Sequence, residues 1–439
     1  MEKKVFILVT FILSILLLTV SALFLYREYT AEQIPAPPAR TEIVAGGESS
    51  YRIKLAEDDR VCRIAAEYLS YLIKERTGVS LALCGPEAEE GRFLLLALDE
   101  AETQKEAPPY SLTLDPDENL CLSFRVRGEE LACVHSLCAQ WLTDTCGMEE
   151  DGTLWISQEL IDAQLTGLSC SLPGRLRILT QNLRKYDDGG GNLILDRAAR
   201  LMRLIRAESL DLIGTQETSL DWFNYLNVAL SDQYAFFGSS QNGIGQDSGE
   251  RNTICYRRDR FDLIAGDTFW LSDSSDQPST LADGFHRRIC TWVLLKDLET
   301  GSSFYFVNTH LDYENSEDYG EQAMLQLEVL FAGMDAVYAS HGVYPVFLTG
   351  DFNQTPGSKT YDLALSRMRD TRTDALVNRS TVDYTFHNYG RSRKLLDYCF
   401  YLGDKVLILD YEIMTNGYGG FVSDHYGVMT DAFLYGFIS

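Results

Sequence analysis

Positive charge is scarce in this chain. Its 439 residues carry 38 Lys+Arg against 64 Asp+Glu, a formal net charge of -26 with a pI near 4.6. That balance keeps a protein soluble but gives no general attraction for nucleic acid or anionic lipid. No basic run is longer than Arg391-Ser-Arg-Lys394, so a nuclease would need a local basic patch. The ten cysteines include no CxxC pair, which leaves zinc without its usual paired thiolates. Cys121 in LCLSF and Cys399 in LDYCFYL sit in apolar runs, where a small buried thiol is the ordinary state. Disulfides are possible outside the cell, and the sequence dictates no pairing. Gly189-Gly190-Gly191 is followed by no Lys-Ser/Thr, so it reads as a flexible loop and not as a nucleotide-phosphate cradle. No internal repeat is evident.

The N-terminus departs from globular composition. Lys3 and Lys4 precede an uncharged run from Val5 to Tyr26. Its 22 residues would make a helix about 33 Å long, enough to span a bilayer. The lysines place that end in the cytoplasm and the rest of the chain outside. The expectation is a single-pass cell-membrane anchor with an extracytoplasmic catalytic domain. A cleaved signal peptide is the rival, with Val20-Ser21-Ala22 as its cleavage site. Pro35, Pro37 and Pro38 make residues 31–40 an extended linker.

A chain of this length forms two compact domains. The first expected unit covers residues 42–165. Val61, Ile64, Ala65, Tyr68, Leu69, Leu72 and Ile73 draw a helical stripe over 58–77, ended by Gly78. Strands are expected at 92–98 and 120–126, and a helix at 129–146. This small α/β unit resembles the N-terminal domains that precede the barrels of some glycoside hydrolases, over one helix and its flanking strands. It carries no chemical motif, so a spacer or interaction module is its default role. The second unit, residues 174–439, alternates strand and helix patterns. Strands are expected at 175–180, 210–215, 291–295, 304–308, 345–348, 397–401 and 427–433, and helices at 196–207 and 321–340. Polar residues collect where its strands end, as active sites of layered folds do.

In that second unit, short segments put carboxylates, amides and histidines directly after apolar runs. They are Gln181-Asn182, Gln216-Glu217, Asn308-Thr309-His310, Gly350-Asp351-Phe352-Asn353, Leu396-Asp397-Tyr398 and Ser423-Asp424-His425. Taken singly, an Asp after a strand is a turn residue, an Asn a backbone cap and a His a satisfied structural group. Their occurrence together, in this order, reverses that reading.

The order resembles the endonuclease/exonuclease/phosphatase superfamily, including its deoxyribonuclease and sphingomyelinase branches. TQET at 215–218, VNTHLD at 307–312, LTGDFNQTP at 348–356, LLDYCF at 395–400 and SDHYGV at 423–428 carry the resemblance. CYRRDRF at 255–261, TFWLS at 268–272 and YTFHNYG at 384–390 look like a secreted bacterial subgroup. The implied fold is α/β: a four-layer α/β/β/α sandwich, two sheets face to face with helices outside.

The resemblance also implies roles. Glu217 matches the principal metal-binding glutamate, Asn182 the asparagine beside the metal, and Asp424 a carboxylate for metal or phosphate. Asp351 and Asn353 match the pair that orients the attacking water and contacts the phosphate. His425 matches the catalytic histidine, Asp397 its acid partner, and His310 a candidate acid for the leaving group. Mg²⁺ or Mn²⁺ suits such oxygen donors. One departure stands at Arg184, where some abasic-site enzymes carry an aspartate. Arg184 and Lys185 are either substrate-phosphate contacts or solvated charges. Arg287-Arg288 and His387 are likewise open between site and structure. Phe269 and Trp270 read as core. Asn378-Arg379-Ser380 fits a glycosylation pattern, as does Asn353-Gln354-Thr355 unless Asn353 is catalytic.

The expected activity is therefore metal-dependent hydrolysis of a phosphoester. From Gly174 onward there are 24 Lys+Arg against 36 Asp+Glu, a net of -12, which favours small or lipid-linked phosphoesters over nucleic acid. An extracellular nuclease acting on DNA or RNA is the alternative. A non-enzymatic surface binding protein on the same fold is the second alternative. Oligomeric state is not legible.

Overall fold

The computed structural model describes residues 40–56, 60–98, 110–114, 119–124, 149–157, 172–282, 286–313, 321–415 and 418–437. The expected anchor at 5–26 and helix at 129–146 lie outside them. Among the described residues no helix is long and apolar enough to cross a membrane. The chain divides into one unit of residues 1–125 with 133–168 and another of 126–132 with 169–439.

In the first unit, β1 (Arg40–Val44) and β2 (Tyr51–Leu55) lead into α1 (Arg60–Thr77), followed by β3 (Leu83–Cys84), β4 (Arg92–Leu98), β5 (Tyr110–Leu114), β6 (Leu120–Phe124) and β7 (Leu154–Ser157). One sheet runs β3-β2-β4-β6-β5, and β1 pairs with β7. Most of the stripe read from sequence is the buried face of α1: Val61, Ile64, Ala65, Tyr68, Leu69 and Ile73 are buried, and Leu72 is half-buried.

The second unit opens with β8 (Arg175–Asn182), α2 (Ile194–Glu208), β9 (Leu212–Thr218) and α3 (Leu220–Leu230). Next come β10 (Tyr234–Phe237), β11 (Arg251–Arg257), β12 (Phe261–Trp270), β13 (Ile289–Asp297) and β14 (Ser303–His310). The long helix α4 (Glu321–His341) precedes β15 (Val346–Asp351), α5 (Lys359–Arg367), β16 (Arg369–Asp370), the short α6 (Thr371–Asp374) and β17 (Val377–Asn378). The chain closes with β18 (Asp397–Leu402), β19 (Val406–Met414) and β20 (Gly427–Leu434).

Two sheets result. One has the order β10-β11-β9-β8-β20-β19-β17, the other β12-β13-β14-β15-β18-β16. Their facing surfaces share a core that includes Ile178, Leu212, Ile254, Val293, Phe304, Phe306, Phe347 and Ile408. Outside the first sheet, Leu201, Leu204 and Ile205 of α2 and Trp222 and Leu226 of α3 pack on Leu179 and Ile213. Outside the second, Leu327, Leu330 and Met334 of α4 and Tyr361 and Ala364 of α5 pack on Tyr305, Leu348 and Phe400. Layers therefore stack helix, sheet, sheet, helix, and each fully buried large apolar side chain contributes roughly 1.5–3 kcal/mol.

Topology gathers the polar strand ends at one edge. β8 and β9 run parallel, so Asn182 and Glu217 emerge together. β14 and β15 run parallel, with His310 opposite Asp351. β18 is antiparallel to β15 and begins at Asp397, opposite Asp351. β20 is antiparallel to β8, which places the residues just before Gly427 at the same edge.

Candidate active site

Local backbone geometry aims the first side chains. A register shift between β9 and β11 leaves an extra residue on β9 around Gln216 and Glu217, and such a bulge re-aims a side chain. Glu217 there has φ 54, Arg184 φ 56 and Asn353 φ 52. Holding a non-glycine residue in this left-handed region costs about 1–3 kcal/mol each, and such strain collects at functional sites.

The Asn182 amide nitrogen donates to Asp351 Oδ2 at 2.9 Å and to Glu217 Oε1 at 3.2 Å. Its oxygen accepts from the Arg184 backbone N–H at 2.9 Å, and Glu217 Oε2 accepts from the Lys185 N–H at 3.0 Å. Asn182 thus bridges two carboxylates as a donor, and its oxygen, which accepts the Arg184 N–H, keeps a second lone pair.

Asp397 and His425 form the second half. His425 Nδ1 lies 2.8 Å from Asp397 Oδ2, and its Nε2 lies 3.8 Å from Asp351 Oδ2. Thr385 Oγ1 accepts the N–H groups of Leu396 and Asp397 at 3.0 and 3.1 Å, fixing the acid. Burial pushes the His425 pKa down, but Asp397 and Asp351 outweigh it and hold the ring charged, up to about 10. Burial, with Asp397 nearby, pushes Asp351 up to about 7. Asp351 thus sits where a proton acceptor near neutral pH is useful.

His310 behaves differently. The Asn353 amide nitrogen donates to His310 Nε2 at 3.0 Å and to the Leu311 carbonyl at 3.0 Å, while the Asn353 N–H caps Asp351 Oδ1 at 2.8 Å. The ring proton then sits on Nδ1, 3.9 Å from Glu250 Oε2. Burial, then Arg288 and His425, lower its pKa well below the usual value. A neutral imidazole with Nε2 as acceptor is poorly placed to protonate a leaving group, the role expected for it. The charged His425 is the better donor.

Asp424 accepts from Ser423 Oγ at 3.1 Å, and its Oδ2 lies 3.7 Å from Arg184 Nε. His387 is buried and enclosed by rings, 4.1 Å from Tyr426 and 4.6 Å from Phe421 by centroid. Arg288 is buried with Asp312, 3.5 Å away, and Arg287 donates to Asn242 at 2.9 Å on the surface. Trp270 is core, its Nε1 donating to the Gln241 carbonyl. Among the described residues Cys84, Cys255, Cys290 and Cys399 are free thiols.

The donor set fits a hard divalent cation. Glu217, Asp351 and Asp424 offer the hard carboxylate oxygens such an ion takes, and burial, then the charge on Asp397, raises the Asp351 pKa. Ligand atoms of Asp351, Asp397 and His425 also lie within 4.8 Å of one another. There the His425–Asp397 hydrogen bond uses Nδ1 and leaves Nε2 open toward Asp351, an arrangement that serves proton transfer and equally orients a metal-binding imidazole.

Sequence reasoning passed over Glu250, Asp312, Asp188, Tyr389 and Arg197. Asp312 stood two residues past His310 in an extended segment, a readable signal. Arg197 lay four residues before Leu201 on the apolar stripe of its helix, which was another. Glu250 and Asp188 sit in polar loops that gave none.

The Endonuclease/Exonuclease/phosphatase family matches residues 179–425. Among solved structures, a protein of that family from Bacteroides vulgatus is 29% identical with a TM-score of 0.54, covering 59% of this chain and 99% of its own. A mannosyl-6-phosphatase from Bacteroides thetaiotaomicron is 25% identical with a TM-score of 0.52, covering 58% and 99%. No curated protein matches the chain.

Proposed function

The chain belongs to the Endonuclease/Exonuclease/phosphatase family, and from that premise we propose that it is a divalent-metal-dependent hydrolase of small or lipid-linked phosphoesters. It acts outside the cytoplasm, held at the cell membrane by residues 5–26. The observation that carries the reading is the line Asp397, His425, Asp351, with Glu217 joined to Asp351 through Asn182.

Glu217 and Asp424 would hold Mg²⁺ or Mn²⁺, which polarises phosphoryl oxygens when bound. Asp351 takes the proton of the attacking water, and Asn353 fixes the Asp351 carboxylate through its N–H. His425, kept charged by Asp397, donates to the phosphoryl or leaving oxygen as negative charge develops there. His310 orients Asn353. Both the mannosyl-6-phosphatase likeness and the acidic composition favour a small phosphomonoester.

One experiment tests reaction and location together. Intact cells expressing the full chain are given p-nitrophenyl phosphate, which does not cross the membrane, with Mg²⁺. The expected result is turnover that sediments with the membrane fraction and falls at least about 10³-fold in His425→Ala. Activity released to the medium would favour the cleaved signal peptide. Equal turnover by wild type and His425→Ala would sink the hydrolase assignment.

A further inference from the structure

Arg184 is held far more firmly than an ordinary surface arginine. Its left-handed backbone, φ 56, is gripped from several sides. The N–H donates to Asn182, while the carbonyl accepts from Trp222 Nε1 at 3.1 Å and from Arg197 Nη2 at 3.0 Å. Arg197 is fully buried and spends its hydrogen bonds on the carbonyls of Asn192, Leu183, Arg184 and Tyr186. Among the described residues it forms no ion pair. A buried guanidinium without a carboxylate costs several kcal/mol unless its donors are satisfied, so this grip on residues 183–186 is stringent.

The Arg184 side chain is braced as well. Asp188 takes Nε at 3.3 Å and Nη2 at 3.5 Å. Asp188 in turn accepts from the Tyr389 hydroxyl at 2.8 Å. Tyr389 is itself left-handed at φ 53, next to Asn388 at φ 41, and its N–H donates to His387 Nδ1 at 3.1 Å. The N–H groups of His387 and Asn388 both donate to the Asp424 carbonyl at 3.0 Å. Since Asp424 also faces Arg184, the contacts close a ring. Guanidinium Nη1 makes no hydrogen bond among the described residues, and the side chain is 33% exposed. The contacts to Asp188 are long, which leaves the guanidinium able to take a stronger anion.

We propose that Arg184 is a fixed phosphoryl clamp and that Tyr389 and Asp188 are positioning residues that aim it. Its ligand is the dianionic phosphoryl group of a phosphomonoester, or the inorganic phosphate left after hydrolysis. This rests on the phosphoester-hydrolase reading given above. A dianion entering among Glu217, Asp351, Asp397 and Asp424 meets strong repulsion. A guanidinium fixed at the rim offsets it and presents paired donors matched to phosphate oxygens. A freely moving arginine would lose much of that benefit to side-chain entropy.

The test is a double-mutant cycle on the full chain in Mg²⁺, with inorganic phosphate titrated by calorimetry. Arg184→Ala is expected to weaken binding about tenfold or more, and Tyr389→Phe about three- to tenfold. In the Arg184→Ala background, Tyr389→Phe is expected to change affinity by less than about twofold, because Tyr389 then has nothing to aim. Asp188→Asn should reproduce the Tyr389→Phe effect. The phenylalanine keeps the ring contacts to His387 and Phe421, so an unchanged melting temperature is expected. Equal weakening by Tyr389→Phe in both backgrounds, or wild-type affinity in Arg184→Ala, would overturn the clamp. Turnover of p-nitrophenyl phosphate by the wild type is read alongside. No turnover with the coupling intact sinks the hydrolase reading and leaves the clamp, while turnover without coupling sinks the clamp alone.

Discussion

His425 and His387 are both buried, yet their surroundings shift their pKa values in opposite directions. Asp397 and Asp351 overcome burial at His425 and hold its pKa up to about 10. At His387, burial and then the charge on His425 push the pKa down to about 4. The signs follow from linkage. Raised above its unfolded value, His425 contributes stability that is complete below about pH 6.5 and lost as pH rises toward 10. Lowered below that value, His387 contributes stability present above about pH 6.5 and lost as pH falls toward 4. Urea unfolding of metal-free protein in a chelator should show His387 acting below about pH 6.5 and His425 above it, with Asp351, raised to about 7, opposing His387 between about 4 and 7. His387→Gln should flatten the acid limb, and His425→Ala the alkaline limb, each by about 1–3 kcal/mol. An acid limb unchanged in His387→Gln would exclude burial of that ring as its source. The residues of the site were legible because each stood at the end of an apolar run. Their protonation states were not, since these depend on burial and on neighbours brought from distant segments. Asp188 and Tyr389 meet across 201 positions.

Among the elements, the strands read from sequence fall where apolar runs end in polar clusters, as at β8, β14, β15 and β18. Clear apolar stripes marked α1 in the first unit and α2 in the second. β19 was missed because VLILDYEIM is buried on both faces and so lacks alternation. β12 was missed for the opposite reason: it is an edge strand, much of it exposed, with Asp262, Gly266 and Asp267 along it. α3 begins at a Ser219 cap that accepts from the Trp222 N–H, a signal present in the sequence but not used. What the sequence hid most fully is how closely the sheets approach. Gln216 Nε2 donates to Asn308 Oδ1 at 2.7 Å across the sandwich. Beside it, a Cβ on Gly214 would stand 2.4 Å from Thr349 Oγ1 and 2.9 Å from Asn308 Oδ1. Gly214→Ala should therefore destabilise by about 1–3 kcal/mol through overpacking, read as a lowered denaturation midpoint with the slope unchanged. A midpoint equal to wild type would mean the sheets can part there without loss.

For the molecule as a whole, charge decides between substrates that the site geometry leaves equivalent. A net of -26 over the chain, and -12 from Gly174 onward, sets up a repulsive field for any long polyanion. The carboxylates of the site deepen it, and Arg184 and Lys185 are partly neutralised by Asp188 and Glu250. A small phosphoester needs only the few fixed donors of the pocket and crosses that field with one or two charges. Duplex DNA brings about one charge per 1.7 Å of its axis and so feels the field many times over. Salt separates the cases by sign. Raising ionic strength shortens the screening length to about 8 Å near 0.15 M. Turnover of p-nitrophenyl phosphate should change by less than about twofold between 50 and 200 mM NaCl. Any cleavage of plasmid DNA should be slow and should rise over the same interval, because screening relieves repulsion. A nuclease that binds through a basic groove does the reverse, losing affinity steeply as counterion release weakens. Plasmid cleavage that is fast at 50 mM and collapses at 200 mM would therefore reveal a local basic surface stronger than the overall charge, and would make nucleic acid the substrate.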